Sequence, residues 1–379
     1  MRILELRLLN FRSYPEAAVR LLPGANLLVG PNGAGKTSLL EGLSTLALTR
    51  APRGGVTTDL VAWGSQEMGV SATVQSGGEG GREMVLELRW RFQPPSKRWV
   101  RTLRVDGNPQ PVARYLGRLR VVSFWPEDLL IVKAGPEPRR RMLDVVLCQL
   151  FPAYATSLIR LRRALEQRNS VLRAVRDGAA GGQELEPWTG PLVEAAAVVM
   201  EARERYLEEA TPLAAAAALR IGEPTPLSLV YKPGIADPEG GSWAERMTRA
   251  LDRSRAEEVA RAQTVVGPHR DDFEICLGGR PARQFASQGQ QRTAVLALKA
   301  AEVAQHLSHG GEAPVLLLDD VLSELDLSHR AGLVQELAGG MGVEQSLVTA
   351  TEDHGLGEVV RLSQVLEVRR GRVEPRVGS

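Results

Sequence analysis

The eight residues Gly30-Pro31-Asn32-Gly33-Ala34-Gly35-Lys36-Thr37 constrain this chain more than any other stretch. They have the spacing G-x-x-x-x-G-K-[ST], follow a short apolar run, Asn26–Val29, and precede a segment whose Leu39, Leu40, Leu43 and Leu46 recur at helical spacing. Strand, glycine loop and helix in that order make a cradle for phosphate. Gly33 and Gly35 permit backbone conformations closed to larger residues, and the helix start turns its positive end toward an anion. An acidic strand end, Leu316-Leu317-Leu318-Asp319-Asp320, comes only near the far end of the chain. A nucleotide site divided in this way requires the two ends to fold into one domain, with the residues between them as an insertion.

Each residue type suits a definite task. Lys36 is positioned for the β- and γ-phosphates, and the Thr37 hydroxyl for Mg²⁺. Gly30, Asn32, Gly33, Ala34, Gly35, Lys36, Thr37 and Ser38 are the expected ATP-binding residues. Asp319, closing a buried strand, is expected to hold Mg²⁺ through water, so the metal set is Thr37 and Asp319. Asp320, one residue on, is placed to polarise an attacking water, which makes Asp320 and Lys36 the catalytic pair. Ser287-Gln288-Gly289-Gln290-Gln291-Arg292 opens a further helix with a hydroxyl and a glycine. One nucleotide needs one such helix, so this second anion-binding end suggests a γ-phosphate shared with another subunit. The bland reading of Ser287 is an ordinary helix cap.

The remaining pattern reads as alternating strands over Ile3–Leu9 and Val19–Leu22, antiparallel strands near Val70–Val74, Met84–Trp90 and Trp99–Val105, and a central strand over Leu119–Phe124. From Pro138 the spacing becomes helical. A Gly-rich break follows at Gly178–Pro187, then an Ala-rich helix over Leu192–Leu219 that Pro212 is expected to break or restart. Strands at Leu227–Tyr231 and Phe273–Leu277 flank a helix over Trp243–Gln263. A helix over Gln290–Leu307, strands at Val315–Leu318, Ser346–Thr349 and Gln364–Val368, and a helix at His329–Leu337 complete a parallel α/β pattern. The expected division is residues 1–132 and 265–379 for the two parts of the ATPase domain and 133–264 for a mainly helical lobe.

The 379 residues are 43% hydrophobic and 24% charged, the composition of a globular protein, and the net charge of +2 announces no particular partner. Between Pro138 and Gly178, however, nine arginines stand against three acids. Arg139–Arg141 could touch phosphate; a solvated helix face or a salt bridge to Asp144 is the alternative. His269 reads either as a structural turn residue or as a coupling residue. Cys148 and Cys276 lie in apolar surroundings and suit buried thiols. No run approaches the ~18 apolar residues of a membrane span, and the alternating N-terminus reads as a strand rather than a signal peptide, so a cytoplasmic protein is expected.

The order of phosphate loop, Ser-x-Gly-Gln helix and Leu-Leu-Leu-Asp-Asp strand resembles ABC-type ATPases, including their SMC-like DNA-repair branch. Pro126–Asp144, Gly267–Asp272, Ser323-Glu324-Leu325-Asp326 and Asn10-Phe11-Arg12-Ser13-Tyr14 resemble the RecF family within it. The resemblance implies an ATP- and Mg²⁺-dependent DNA-binding protein of recombinational gap repair. Such a protein is a weak, DNA-stimulated ATPase that forms an ATP-dependent homodimer, binds double-stranded and gapped DNA, and works with RecR and RecO to load RecA. It puts Ser287, Gly289 and Gln290 against the partner's γ-phosphate, Ser323, Glu324, Leu325 and Asp326 at the dimer interface, and Arg12 near the nucleotide. No membrane partner is implied; an ABC-type motor subunit acting on another partner is the alternative. The chain departs from transporter-type relatives in having Trp125-Pro126-Glu127-Asp128 where they place a loop glutamine. Asp320 stands where many relatives have Glu, and Val348–Thr351 lacks a switch histidine.

Overall fold

The structure is a computed structural model. It describes residues 1–376 except 54, 78–79, 95, 237–238, 321–341 and 352–361. Its elements run β1 (Arg2–Phe11), β2 (Tyr14–Arg20), β3 (Gly24–Val29), α1 (Lys36–Leu48), β4 (Glu67–Ser76), β5 (Arg82–Gln93), β6 (Arg98–Val105), β7 (Asn108–Pro109), α2 (Val112–Tyr115) and β8 (Val121–Phe124). Then come α3 (Leu130–Lys133), α4 (Pro136–Leu150), α5 (Pro152–Arg176), α6 (Glu186–Ile221), β9 (Leu227–Lys232), α7 (Trp243–Arg261), β10 (Asp272–Leu277), β11 (Arg280–Pro281) and α8 (Ala282–Phe285). The last described elements are α9 (Gln288–Gly310), β12 (Val315–Asp319), β13 (Gln345–Ala350), β14 (Leu362–Arg369) and β15 (Arg372–Pro375). The chain divides into two compact units, one of residues 1–129, 216–224 and 295–379, the other of residues 130–215 and 225–294. Among the described residues no helix is long and apolar enough to cross a membrane.

The first unit holds two six-stranded sheets. One, in the order β2-β1-β4-β5-β6-β7, is antiparallel throughout. The other runs β15-β14-β3-β13-β12-β8, with β14, β3, β13, β12 and β8 parallel and β15 antiparallel at one edge. Helix α1 touches strands of both sheets and fills the space between them. Its Leu39, Leu40, Leu43, Leu46 and Ala47 are buried in one core with Ile3, Leu6 and Leu8 of β1, Val70 and Val74 of β4, and Leu317 of β12. The apolar stripe that marks α1 in the sequence is therefore the surface that joins the two layers.

Two expectations about elements are corrected. Among the described residues, Leu119–Phe124 contributes β8, which pairs with β12 alone and forms an edge of its sheet rather than a central strand, although all four residues of β8 are buried. An apolar run cannot distinguish a covered edge from a centre, because burial of both faces gives the same composition. Pro212 neither breaks nor restarts a helix, since α6 continues from Glu186 to Ile221 with Pro191 and Pro212 inside it. The Thr211 hydroxyl donates to the Leu207 carbonyl at 2.7 Å, and Ala210, Ala214, Ala217 and Ala218 stay buried on both sides of the proline. A stripe of packing that crosses the proline offsets the ~3 kcal/mol that its ring and missing N–H cost. The helix expected at His329–Leu337 lies outside the described residues.

The second unit is helical apart from the three-stranded antiparallel sheet β11-β10-β9. Two networks of buried polar groups stand out among its described residues. Arg168 and Glu258, both fully buried, pair through two hydrogen bonds of 2.9 and 2.6 Å, and Arg168 also donates to Thr264. Arg203 donates to Asp271, Asp144, the Tyr154 hydroxyl and the Pro268 carbonyl.

Candidate nucleotide-binding site

The parallel sheet brings three strand ends together. In its register Val29 lies beside Ala350, and Asp319 beside Thr349, so the loop after β3 and the acidic end of β12 flank the end of β13. Crevices at the carboxyl ends of parallel strands are where such sheets bind ligands. A cavity of about 490 Å³ opens there, lined by Asn32, Gly33 and Gly35–Ser38 of the loop and helix start, by Asp319, Asp320, Thr349 and Thr351, and by Arg12, Ser13, Asp59, Val61 and Trp63.

Glycines shape the loop for two reasons. Gly35 has φ 113°, and a Cβ there would lie 2.7 Å from the Tyr14 hydroxyl, which donates to the Gly35 carbonyl at 3.0 Å. Gly30 has no such backbone demand; a Cβ on it would sit 2.2 Å from the Val368 carbonyl oxygen of β14. Gly30 and Ala34 are not among the cavity-lining residues. Gly30 answers a packing constraint between strands, and Ala34 is buried beneath the loop.

Charge in the cavity is concentrated. Lys36 Nζ donates to the carbonyls of Gly30 at 2.6 Å and Pro31 at 3.1 Å, which curls the loop around its own lysine. Burial pulls the Lys36 ammonium below its ordinary range, opposed by Asp320 and Asp319. The Thr37 hydroxyl lies 2.9 and 3.0 Å from the two carboxylate oxygens of Asp319. Burial holds the Asp319 carboxyl above the usual range, while the hydroxyls of Thr37 and Thr349 and the charge of Arg53 oppose that rise. Thr349 Oγ1 donates to Asp319 at 2.9 Å and accepts from the Asp320 backbone N–H at 2.9 Å. Asp320 has φ 50°, a conformation uncommon for a residue other than glycine.

Arg12 lines the cavity, but its guanidinium is engaged by Glu41 through bonds of 3.0 and 3.1 Å and by the Asp59 carbonyl at 3.3 Å. Tyr14, Glu41, Asp59, Val61, Trp63 and Thr349 were not expected from sequence as part of this neighbourhood. Tyr14 stands within the Asn10–Tyr14 stretch and Thr349 at a strand end, yet neither carries a spacing that marks it. In the Trp125–Asp128 loop, Glu127 accepts from Arg53 Nε at 3.1 Å, and Asp128 accepts from the Trp125 N–H at 2.9 Å.

Ser287, Gly289 and Gln290 belong to the other unit. Gln290 N–H donates to Ser287 Oγ at 3.2 Å, and Ser287 N–H donates to Gln290 Oε1 at 3.0 Å, a reciprocal cap at the start of α9. Ser287 and Gly289 are exposed, and a Cβ on Gly289 would meet nothing closer than Ser287 Oγ at 3.9 Å. Ser323, Glu324, Leu325 and Asp326 lie outside the described residues.

Residues of the other motifs make polar contacts within the second unit. Arg139 is 6% exposed and bonds bidentately to Asp272 at 2.6 and 3.0 Å, so of the two readings of the arginine run the salt bridge holds for it, with Asp272 in place of Asp144. Asp271, fully buried, accepts from Arg203, the Tyr231 hydroxyl and the Gly234 N–H, and the Arg140 guanidinium reaches its carbonyl. His269 Nε2 lies 3.0 Å from the Thr264 carbonyl, and burial lowers the pKa of its ring.

Similarity to known proteins follows the same outline. Residues 2–374 match the RecF/RecN/SMC N-terminal domain family. The DNA replication and repair protein RecF of Moorella thermoacetica is 40% identical over 376 residues, covering 99% of this chain and 96% of the relative. The solved structure of the recombination mediator protein RecF with ATP, of the RecFOR pathway, superposes with a TM-score of 0.88 at 30% identity, covering 99% of this chain and 97% of the other. An Smc head bound to the C-terminal winged-helix domain of ScpA reaches a TM-score of 0.56 at 15% identity over 100% of this chain and 98% of the other, a likeness of fold. The fold is thus an ABC-type ATPase head with a helical lobe, and the chain belongs to the RecF family.

Proposed function

We propose that this chain is an ATP-dependent DNA-binding protein of recombinational gap repair that closes as a dimer on duplex or gapped DNA. It hydrolyses ATP slowly and, with RecR and RecO, assists the loading of RecA. The observation that carries the reading is the convergence of Lys36, Thr37, Asp319 and Asp320 on one cavity from opposite ends of the chain. The full-length relation to RecF supplies the DNA-repair context.

In this reading the Gly33–Ser38 backbone and Lys36 cradle the phosphates, and Arg12 sits beside the nucleotide with its guanidinium steadied by Glu41. Thr37 and Asp319 together offer three oxygens within 3.0 Å of one another, hard donors that fit Mg²⁺. Magnesium bound there would neutralise phosphate charge. Asp320 orients the attacking water. Ser287, Gly289 and Gln290 meet the γ-phosphate of a second copy, exchanging their mutual cap for the anion. ATP then stabilises the closed dimer over the open form, and hydrolysis releases it. The division into an ATPase domain of residues 1–132 and 265–379 and a lobe of residues 133–264, and a cytoplasmic setting, belong to the same proposal.

The test is mass in solution by light scattering, with and without ATP·Mg²⁺ and short duplex DNA. Wild type should dimerise with ATP and bind DNA, with an affinity that falls steeply as salt rises. Lys36→Arg should dimerise poorly, and Ser287→Arg should bind nucleotide yet remain monomeric. A wild-type chain that stays monomeric with ATP and ignores DNA would overturn the clamp and favour an ABC-type motor awaiting another partner.

A further inference from the structure

The nucleotide cavity is chemically uneven. Lys36, Thr37, Asp319 and Asp320 supply charge and hydroxyls, whereas Val61 and Trp63 add an apolar surface. Trp63 is 101% exposed, so its indole contributes nothing to the core. Its backbone is nonetheless held. The adjacent Ala62 N–H donates to the Asn10 carbonyl at 2.8 Å, Ser65 N–H donates to Ala62 at 3.0 Å, and Val61 bridges to Phe11 at the end of β1. The largest aromatic side chain therefore stands in solvent on a fixed mount at the lip of the cavity.

We infer that Trp63, with Val61 beside it, is the stacking platform for the purine base of the bound nucleotide. The inference rests on the nucleotide reading above and adds the part of the ligand that the phosphate loop does not address. Once the phosphates are anchored at the loop, the base is the remaining flat, weakly hydrated part of the molecule. A flat aromatic face stacks on it without needing a particular hydrogen-bond pattern. A mount fixed in advance limits the ordering cost to the rotamers of one side chain. A purine, with its larger π-surface, gains more from this contact than a pyrimidine, so Trp63 also sets a preference among nucleotides.

Calorimetric titration of the full chain with ADP, CDP and inorganic triphosphate tests this. In wild type, ADP should bind more tightly than CDP. Trp63→Ala should weaken ADP roughly tenfold, narrow the gap to CDP and leave triphosphate unchanged, the loss expected of one base–aromatic stack. Trp63→Phe should recover most of the loss. Trp63→Ala with unaltered ADP affinity overturns the inference and leaves the nucleotide reading standing. Equal weakening of ADP and triphosphate also overturns it, by showing that Trp63 only supports the loop. A wild-type chain that binds neither ADP nor triphosphate overturns the nucleotide reading itself.

Discussion

Asp319 has two tasks that conflict electrostatically. It ends a strand whose five residues are all buried, and its carboxylate must remain charged for the metal role proposed here. Burial raises its pKa, and two threonine hydroxyls moderate the rise. A carboxyl with a raised folded pKa costs nothing below the ordinary carboxylate range and destabilises the fold increasingly as pH climbs through the raised value. Asp319→Asn should therefore melt higher than wild type at pH 8 without nucleotide, by ~2–4 °C for a gain of about 1 kcal/mol, and the advantage should vanish near pH 3.5. The same variant should lose the extra stabilisation that Mg²⁺ adds to ATP in wild type. Calorimetric melting at the two pH values, with and without ATP·Mg²⁺, checks both halves; a variant that melts lower at pH 8 would show that its hydrogen bonds outweigh the buried charge. The residue's identity was legible in sequence, because an acid after four apolar residues is a recognisable strand end. Thr349, which bonds to both Asp319 and the following backbone N–H, was not. Its partners are distant in sequence, and threonine at a strand end has many ordinary uses.

 

Helices and strands in the second unit are held by buried charge as well as apolar packing. No motif surrounds Arg203 of α6, and its importance lies in the partners it gathers. Its guanidinium is 3% exposed and donates to Asp144 of α4 at 2.9 Å, Asp271 at 2.8 Å, the Tyr154 hydroxyl of α5 at 3.1 Å and the Pro268 carbonyl at 2.6 Å. Removing the cation takes the direct ion pair from Asp271, which is fully buried, and leaves Asp144 with Arg162 as its remaining cation. Arg203→Met should cost ~3–5 kcal/mol in urea unfolding. The double variant Arg203→Met, Asp271→Asn should recover part of that loss, because it removes one stranded charge. A loss below 1 kcal/mol would mean that the site admits water. Element positions were largely legible here: the periodicity over Trp243–Gln263 corresponds to α7, and that over Leu227–Tyr231 to β9. Continuity was not, as α6 shows, because whether a proline ends a helix depends on packing that lies beyond its neighbours in sequence.

At the scale of the whole molecule, α9 carries ionisable groups into the interior of the first unit, Lys299, Glu302 and His306 among them. His306 of α9 is fully buried, and neither ring nitrogen has a hydrogen-bond partner. Burial, then the charges of Arg120 and Lys299, push its pKa down to about 3. The unfolded chain takes up a proton near pH 6.5 and the folded chain does not, so this group's contribution is present above that pH and is lost as pH falls toward 3. Stability relative to His306→Leu should decline by about 1.4 kcal/mol for each pH unit below ~6. Asp128 and Glu302, which burial raises, titrate in both proteins, so the difference between them isolates the imidazole. Urea unfolding at pH 7, 6 and 5 measures it, and a constant difference would show that the folded chain protonates His306 over the same pH range as the unfolded chain.

The sequence by itself determined the phosphate loop, the acidic strand end and the need for the two ends of the chain to meet. Those conclusions rest on local spacing and on chain order, and both are properties of the sequence alone. Tertiary structure decided that β13 stands between β3 and β12, that Thr349 joins Asp319 to the backbone of Asp320, that Arg139 is buried on Asp272, and that Trp63 stands in solvent at the lip of the cavity. Each of these depends on which distant segments pack together, and packing selects among many partners of similar chemistry that local pattern cannot rank.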